Sequence, residues 1–549
     1  MSGRFRLTLA QINSTLGDLT GNRARAREGH AAGKAAGADF VALPEMFLVG
    51  QYPRDLTAKA AFCADAWREL QMLAVELGDG PALGIGLPIL ESDGRCFNAY
   101  AILRDGKLQG YARKHHLPNH GAFDETRIFA SGPVSGPFGM GPVRVGVPIG
   151  EDARHPDVTE TLAECGAEIL FVPDSSPYHH GIHDLRIGEM VTRVVETGLP
   201  FVYLNAVGGQ DEQIFDGGSF VLNPHGRLAV QLPSFDEVIA HVDFEETAEG
   251  WCAVPGERAI HPPLIEQDYR GMIVALHDHV TKSGVSKVVL GLSGGVDSAL
   301  VAAIAADALG PENLRCVTLP SEDTSAQSLE DATGLAKALG CPLHEVPIAP
   351  ARAAITETLQ PLLNGRARDA TEATTLSRLR GLLLMTLSEA FGEMLLIAGN
   401  KIDLAVGYIA DYGGYNPIKD LYKSRVIEIC RWRNANHRPW MKGNEGEVIP
   451  VRVIDEALAA EQRADGKAGD ALPPLGILDR ILEHLIEDDM GVGEIVDLGF
   501  EREEVKRVEH RLYSREAERL RAAPGPKLTR KAFWPDRRYP VVHRWRDPT

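Results

Sequence analysis

Apolar and polar positions alternate with a period of two over residues 5–12, and short apolar runs recur at 40–43, 84–90, 98–104, 143–149, 169–173 and 201–205. Runs of this length and pattern predict strands that are half or wholly buried. Residues 21–36, between the first two runs, carry helical spacing, and Gly–Pro clusters over 131–142 mark loops. The first half therefore reads as strands alternating with helices. That rhythm breaks in the polar stretch 248–263, which holds Trp251, Pro255, Pro262 and Pro263, and a helical pattern over 268–282 opens a second unit. There the α/β rhythm returns: strand 287–292, helix 298–309, strand 314–319, helix 328–339, then a short apolar strand at 394–398 that runs into Gly399, Asn400 and Lys401. Past Glu447 the chain is richer in charge and the alternation is lost. The pattern predicts an α/β protein of two domains, 1–258 and 259–549.

Composition narrows the function. The chain of 549 residues carries a net charge of −19, which argues against nucleic acid or an anionic membrane surface as its main partner. No stretch approaches the length of uninterrupted apolar sequence that a membrane span needs. Seven scattered cysteines without a CxxC pair fit a reduced, cytoplasmic protein and argue against zinc.

One loop carries most of the chemistry. An apolar strand runs into Ser293, Gly294, Gly295, Val296, Asp297 and Ser298, and an apolar helix follows. Gly294 and Gly295 let backbone approach a ligand, and the free N–H groups of a helix start favour an anion. No Gly-Lys-Ser/Thr follows, so this is not a Walker loop. Asp297 would repel a phosphate unless a divalent cation bridged the two, so the loop implies Mg²⁺ as well as a phosphate ligand.

The string resembles the pyrophosphate loop of the ATP pyrophosphatase group, whose members cleave ATP to AMP and pyrophosphate. Further segments extend the likeness: LPSEDTS at 319–325, SLEDA at 328–332, GNK at 399–401, GY at 407–408, PIKDLYK at 417–423, DALPP at 470–474, PGPK at 524–527 and KAFWPDRRYP at 531–540. Together they are similar to the NAD synthetase family in its long, glutamine-dependent form. The resemblance implies a nitrilase-like α-β-β-α sandwich followed by a Rossmann-like (adenine nucleotide alpha hydrolase-like) parallel-sheet domain. It also implies ATP and Mg²⁺ as cofactors, small-molecule substrates and a homo-oligomer. The implied reaction amidates nicotinic acid adenine dinucleotide with ammonia through an adenylate. By position, Lys401, Lys419, Lys423 and Arg378 would meet phosphate or acyl-adenylate, and Asp403 would join Asp297 on the metal.

The first half carries the nitrilase pattern with one gap. LPE at 43–45 places Glu45 as the general base, and RK at 113–114 places Lys114 as the oxyanion partner. LPN at 117–119, FDE at 123–125, SPY at 176–178, GGQD at 208–211 and FDGGS at 215–219 match segments around a glutamine site. The family's nucleophilic cysteine should end the strand at 143–149, where this chain has Gly150. Amide hydrolysis by that route needs a thiolate, so the domain is expected not to hydrolyse glutamine. Cys165, the nearest cysteine in sequence, lies too far along to replace it. His115 and His116 read as loop-shaping residues, and His179, His180 and His183 as loop or surface histidines. The basic residues over 530–546 read as a subunit or active-site edge.

The second half departs as well. Ile402 and Asp403 stand where the family has Ser-Glu, Ala410 where it has a threonine, and about four residues are missing near Gly413 and Gly414. The family's Arg-bearing segment survives mainly as Arg378 and Arg380. Three readings follow: an ammonia-dependent NAD synthetase, a paralogue amidating a different carboxylate, or a non-catalytic nucleotide- or glutamine-binding protein.

Overall fold

The computed structural model describes residues 3–322, 324–363, 369–408, 412–461, 472–534 and 536–549. Ala410 and the first two residues of the DALPP segment lie outside the described residues. The chain forms two compact units, Met1–Pro263 and Leu264–Thr549.

The first unit is a four-layer sandwich. One sheet has the strand order Gly250–Ala253, Val238–Thr247, Arg4–Gln11, Phe40–Ala42, Ala82–Leu90, Cys96–Arg104, Lys107–Arg113. The other runs Arg227–Gln231, Phe220–Asn223, Phe201–Asn205, Ile169–Asp174, Val143–Gly146, Phe138–Met140. Period-two alternation sorts each strand's side chains onto two faces. Phe5, Leu7 and Leu9 pack with Phe171, Val202 and Leu204 between the sheets. On the outer face of the first sheet, Leu83, Ile85 and Leu87 pack with Leu70 and Leu73 of the helix Ala60–Leu77. On the outer face of the second, Leu170 and Val172 pack with Met190 and Val194 of the helix Ile182–Thr197. The expected nitrilase-like α-β-β-α order is the one observed. The strand expected at 143–149 stops at Gly146, and 147–149 continue outside the ladder into a 3-10 turn, Gly150–Arg154.

The second unit is built on four strands, all parallel, in the order Leu343–Glu345, Leu314–Thr318, Val288–Gly291, Met394–Leu396. The chain winds to one side of Val288–Gly291 and then to the other. That reversal makes the carboxyl end of this central strand the switch point where such sheets bind ligands. The helix leaving it, Val296–Leu309, is apolar on every side and buried from end to end. The charge-rich tail is helical, and Leu478, Ile481, Leu485, Val505, Val508 and Leu512 from two of its helices form a core with Ile402 and Leu404.

One polar group interrupts that buried helix. Asp307 accepts from Arg433 and from the Tyr269 hydroxyl, at 2.6 Å from the latter, with both charged side chains fully buried. Removing one member of a buried ion pair strands the other and costs about 3–5 kcal/mol. Arg433→Leu is therefore expected to lower the stability of this unit by that amount. Urea unfolding followed through Trp432 and Trp440, which pack on Tyr269, reads it out.

Candidate active sites

In the first unit, the segment after Phe40–Ala42 crosses the ends of the neighbouring strands so closely that only glycine fits beneath it. A Cβ at Gly86 would lie 2.2 Å from the Met46 nitrogen and 2.8 Å from the Glu45 Cα. Met46 itself is held at a φ of 53°, a conformation that persists only where the surroundings impose it. The Tyr100 hydroxyl donates to the Leu43 carbonyl at 2.8 Å, and Gln51 and the Ser175 hydroxyl both donate to the Glu45 carbonyl. Glu45 is thereby fixed with its carboxylate inward.

That carboxylate accepts from the Asn98 amide at 2.7 Å and from Lys114 at 2.9 Å, and Lys114 also reaches Glu125 at 2.9 Å. The lysine side chain is 2% exposed. Burial works against its charge, but the Glu125 and Glu45 carboxylates more than offset this and push the ammonium's pKa up. Burial raises the Glu125 carboxyl to about 7, against the pull of Lys114. Sequence reasoning found all three residues but not the geometry in which one ammonium bridges two acids.

Gly150 faces this triad. It has a φ of 50°, and a Cβ built there would lie 3.2 Å from Glu45 Oε2 and 3.2 Å from Asp174 Oδ1. A side chain at 150 would thus start beside the Glu45 carboxylate. The turn is held by Asp152, which accepts from the backbone N–H groups of Ile149 at 3.2 Å, His115 at 3.0 Å and His116 at 2.7 Å. Burial raises that carboxyl to about 6. Cys165, exposed just past the helix Pro156–Glu164, shares none of these contacts. Tyr52 packs its ring, tilted, against Phe123 and Phe215, with centroids 5.6 and 5.9 Å apart, so the FDE and FDGGS segments meet at this tyrosine. Arg186 is a residue the sequence did not single out. Fully buried, it binds Asp216 at 2.8 Å and the Ser176 carbonyl at 2.8 Å, locking SPY to FDGGS.

In the second unit, the six-residue loop curls around its own hydroxyls. Ser293 and Ser298 Oγ lie 3.0 Å apart, the Gly295 N–H donates to Ser293 Oγ at 3.2 Å, and the Ser298 hydroxyl donates to the Gly295 carbonyl. Gly294 has a φ of 81°, and a Cβ on it would meet the Ser328 carbonyl at 2.4 Å. Gly295, the residue capping Val296–Leu309, supplies no side-chain cap, which leaves the helix start to an anion. A cavity of about 720 Å³ opens from this loop. Leu290, Leu319, Leu384 and Leu396 give it an apolar floor, Ser321, Thr324, Ser325 and Ser328 a hydroxyl wall, and Asp297, Arg380 and Asp403 its charges.

The remaining expected residues divide. Lys423 pairs with Asp297, and Asn400 Nδ2 donates to the same carboxylate at 3.3 Å. Asp403 lies near enough that burial first, and then Asp297, raise its carboxyl to about 7. Two acids at the mouth of this loop, one of them with its pKa raised by its surroundings, are a donor set suited to a hard divalent cation. Lys401 corrects the expectation. It is wholly buried, and its ammonium meets Asp420 at 2.9 Å, Glu487 at 3.2 Å, Thr529 Oγ1 at 2.6 Å and the Lys531 carbonyl at 2.9 Å. No donor remains for a phosphate. Lys419 is buried beside Gly525 and does not line the cavity. Arg378 is exposed, and Arg380, two residues on, lines the cavity in its place. Several charges of the basic tail are spent within the unit, Arg530 on Asp488, Lys531 on Asp489 and Arg537 on Glu516.

A nitrilase-type sandwich and a nucleotide-binding parallel sheet in one chain define a class: AMP-forming, ATP-dependent carbon–nitrogen ligases with a fused amidase-type domain. The carbon–nitrogen hydrolase family model matches residues 6–250, and the NAD synthase model matches 269–522. The chain is 55% identical to the glutamine-dependent NAD(+) synthetase of Rhodobacter capsulatus over the full length of both, and 36% identical to that of Thermotoga maritima over 99% of this chain and 100% of the other. The structure of the glutamine-dependent NAD+ synthetase from Acinetobacter baumannii, in complex with adenosine diphosphate, matches with a TM-score of 0.78 at 34% identity over 100% of both chains. The Cytophaga hutchinsonii enzyme, at 18% identity, shares the fold, with a TM-score of 0.81 over 99% of this chain and 98% of the other. The chain belongs to the glutamine-dependent NAD(+) synthetase family.

Asp403 sets a pH-dependent stability. Folded, it keeps its proton to about pH 7, whereas unfolded it loses it near 4. The folded state holds the extra proton across that window, so this residue's contribution falls as pH rises from about 4 to 7. Asp403→Asn removes the loss. In metal-free buffer at pH 8 the variant is expected to gain on the order of 1–3 kcal/mol over the parent, and at pH 4 nothing. Melting temperatures across that range test it; a difference independent of pH contradicts it.

Proposed function

We propose that this chain converts nicotinic acid adenine dinucleotide to NAD with free ammonia, and that its first unit does not hydrolyse glutamine. The observation that carries the second statement is Gly150. Glu45, Lys114 and the turn held by Asp152 stand around a position with no side chain. A thioester route needs a sulfur there.

The synthetase chemistry rests on the second unit. The acceptor's carboxylate oxygen attacks the α-phosphorus of ATP, the bond to the bridging oxygen breaks, and pyrophosphate leaves. The mixed anhydride then takes ammonia at the carboxyl carbon and expels AMP. The curled loop from Ser293 to Ser298 supplies helix-start N–H groups to the leaving pyrophosphate. The apolar floor of Leu290, Leu319, Leu384 and Leu396 suits a flat base, and Arg380 supplies positive charge from the cavity wall. Asp297 and Asp403 are the residues that would hold Mg²⁺, which when bound would neutralise charge on the phosphates. Lys423 pairs with Asp297, and with that carboxylate on a cation its ammonium would be available to a phosphate oxygen.

A second reading, a different carboxylate as acceptor, draws on the shortened segment at Gly413 and Gly414. Both glycines have positive φ, and a Cβ on Gly414 would meet the Leu395 carbonyl at 2.6 Å, so the turn is drawn tight against the sheet. Such a turn changes what lies beside the reacting carboxyl. AMP release from ATP and Mg²⁺ separates the readings, with nicotinic acid adenine dinucleotide as acceptor and with ammonium or glutamine as nitrogen source. Release with ammonium alone is the expected result. Equal rates with ammonia-free glutamine would overturn the reading of the first unit, and no release in either case would move the assignment to another carboxylate.

A further inference from the structure

The histidines that follow Lys114 do more than shape a loop. His115 Nδ1 lies 2.7 Å from the Gly132 carbonyl, which can only accept, so that nitrogen carries the proton and Nε2 the lone pair. His116 points its Nε2 at Asp157, 3.0 Å from each carboxylate oxygen. The His116 ring is stacked on His155 with centroids 3.8 Å apart, and meets the His115 ring edge-on at 4.7 Å. Each of His115, His116 and Asp157 offers one donor atom, and the three lie within 4.8 Å of one another. Two ligands on a tetrahedral zinc, each about 2.0–2.1 Å from the ion, sit roughly 3.3 Å apart. The His116–Asp157 spacing is already close to that, with a hydrogen bond where the metal would be.

We propose that His115, His116 and Asp157 form a binding site for one divalent transition-metal ion of the zinc class on the first unit. Water completes the tetrahedron. The donor set decides the class of ion. Two imidazoles and one carboxylate suit Zn²⁺, Co²⁺ or Ni²⁺, whereas Mg²⁺ takes oxygen ligands in an octahedron. The Gly132 carbonyl on His115 Nδ1 is the outer partner that fixes a metal-binding imidazole in its tautomer. The sequence argued against zinc through its cysteines and through His179, His180 and His183, and this site uses none of them.

The place of the site gives it a consequence. His115 and His116 directly follow Lys114, and their backbone N–H groups hold Asp152 in the Gly150 turn. Asp157 lies in the first turn of the helix Pro156–Glu164, which begins just after that turn ends. A bound ion therefore ties the loop carrying Lys114 to the helix leaving Gly150, and braces the turn from both sides.

The test uses the whole chain, stripped with a chelator and titrated calorimetrically with Zn²⁺ in the parent, in His116→Ala and in Asp157→Asn. Asp157→Asn is the variant that spares the fold, since the side chain is 58% exposed. The expected result is one equivalent bound by the parent, unaffected by millimolar Mg²⁺. That equivalent should be lost in His116→Ala and weakened at least tenfold in Asp157→Asn. The parent's melting temperature should rise with Zn²⁺ while that of Asp157→Asn stays flat. No zinc bound by the parent overturns the proposal. So does an equivalent that survives both substitutions, or one displaced by Mg²⁺.

Discussion

A buried lysine ammonium governs the first unit. Lys114 sits between Glu45 and Glu125, and taking a charge out of solvent costs several kcal/mol unless its partners are placed well. The placement comes from everything around it. Gly86 lets the Glu45 segment close on the sheet, Asn98 supplies a second donor to the Glu45 carboxylate, and Gln51 and Ser175 pin the backbone. Asp152 then ties the loop after Lys114 to the turn at Gly150. Remove the ammonium and two acids face each other in the interior. The sheet ends, the glycines and the turn are all arranged so that this does not occur.

The second unit uses buried charge for a different purpose. Asp307 with Arg433, and Lys401 with Asp420 and Glu487, are closed clusters that hold helices together. Asp297 with Lys423 is an open one, at the mouth of a cavity and beside a second acid whose pKa burial raises. In the Lys401 cluster the ammonium already meets Asp420, Glu487, Thr529 and the Lys531 carbonyl, which leaves it no hydrogen for a ligand. An open cluster keeps a charge that a ligand could take up.

Much of this was legible in the chain. One alternating run and six short apolar runs marked seven strands of the first unit's two sheets, while Lys107–Arg113, Phe138–Met140, Phe220–Asn223, Arg227–Gln231, Val238–Thr247 and Gly250–Ala253 went unread; the strand–turn–helix pattern gave the loop from Ser293 to Ser298. Glu45, Lys114 and the gap at Gly150 were legible through motifs and not through pattern: the strand Lys107–Arg113 before Lys114 went unread, and the strand before Gly150 ends at Gly146. What pattern could not show is where a long side chain ends up. Lys401 follows a loop motif and looks like a phosphate ligand, but its ammonium turns into the tail, to Thr529 and the Lys531 carbonyl. Arg378 and Arg380 are equivalent by motif, and only the rotation of their helix exposes one and turns the other into the cavity. Arg186 and Asp216 lie 30 residues apart with no motif linking them, and they meet only once the sheets are packed. A His-His-Asp cluster drawn from a loop and a helix start was invisible for the same reason.

The central claim is that one absent side chain, and not a damaged framework, separates the first unit from a working glutaminase. Gly150→Cys tests it most directly. A cysteine there must adopt a positive φ at a cost of about 1–2 kcal/mol, and its Cβ must press on Glu45 and Asp174 by a few tenths of an ångström. If the claim holds, the variant gains glutamine hydrolysis that the parent lacks. An electrophilic glutamine analogue should also label it on the introduced sulfur alone, with labelling abolished in the double variant Gly150→Cys, Glu45→Gln. A folded Gly150→Cys chain that neither hydrolyses glutamine nor takes the label would contradict the account.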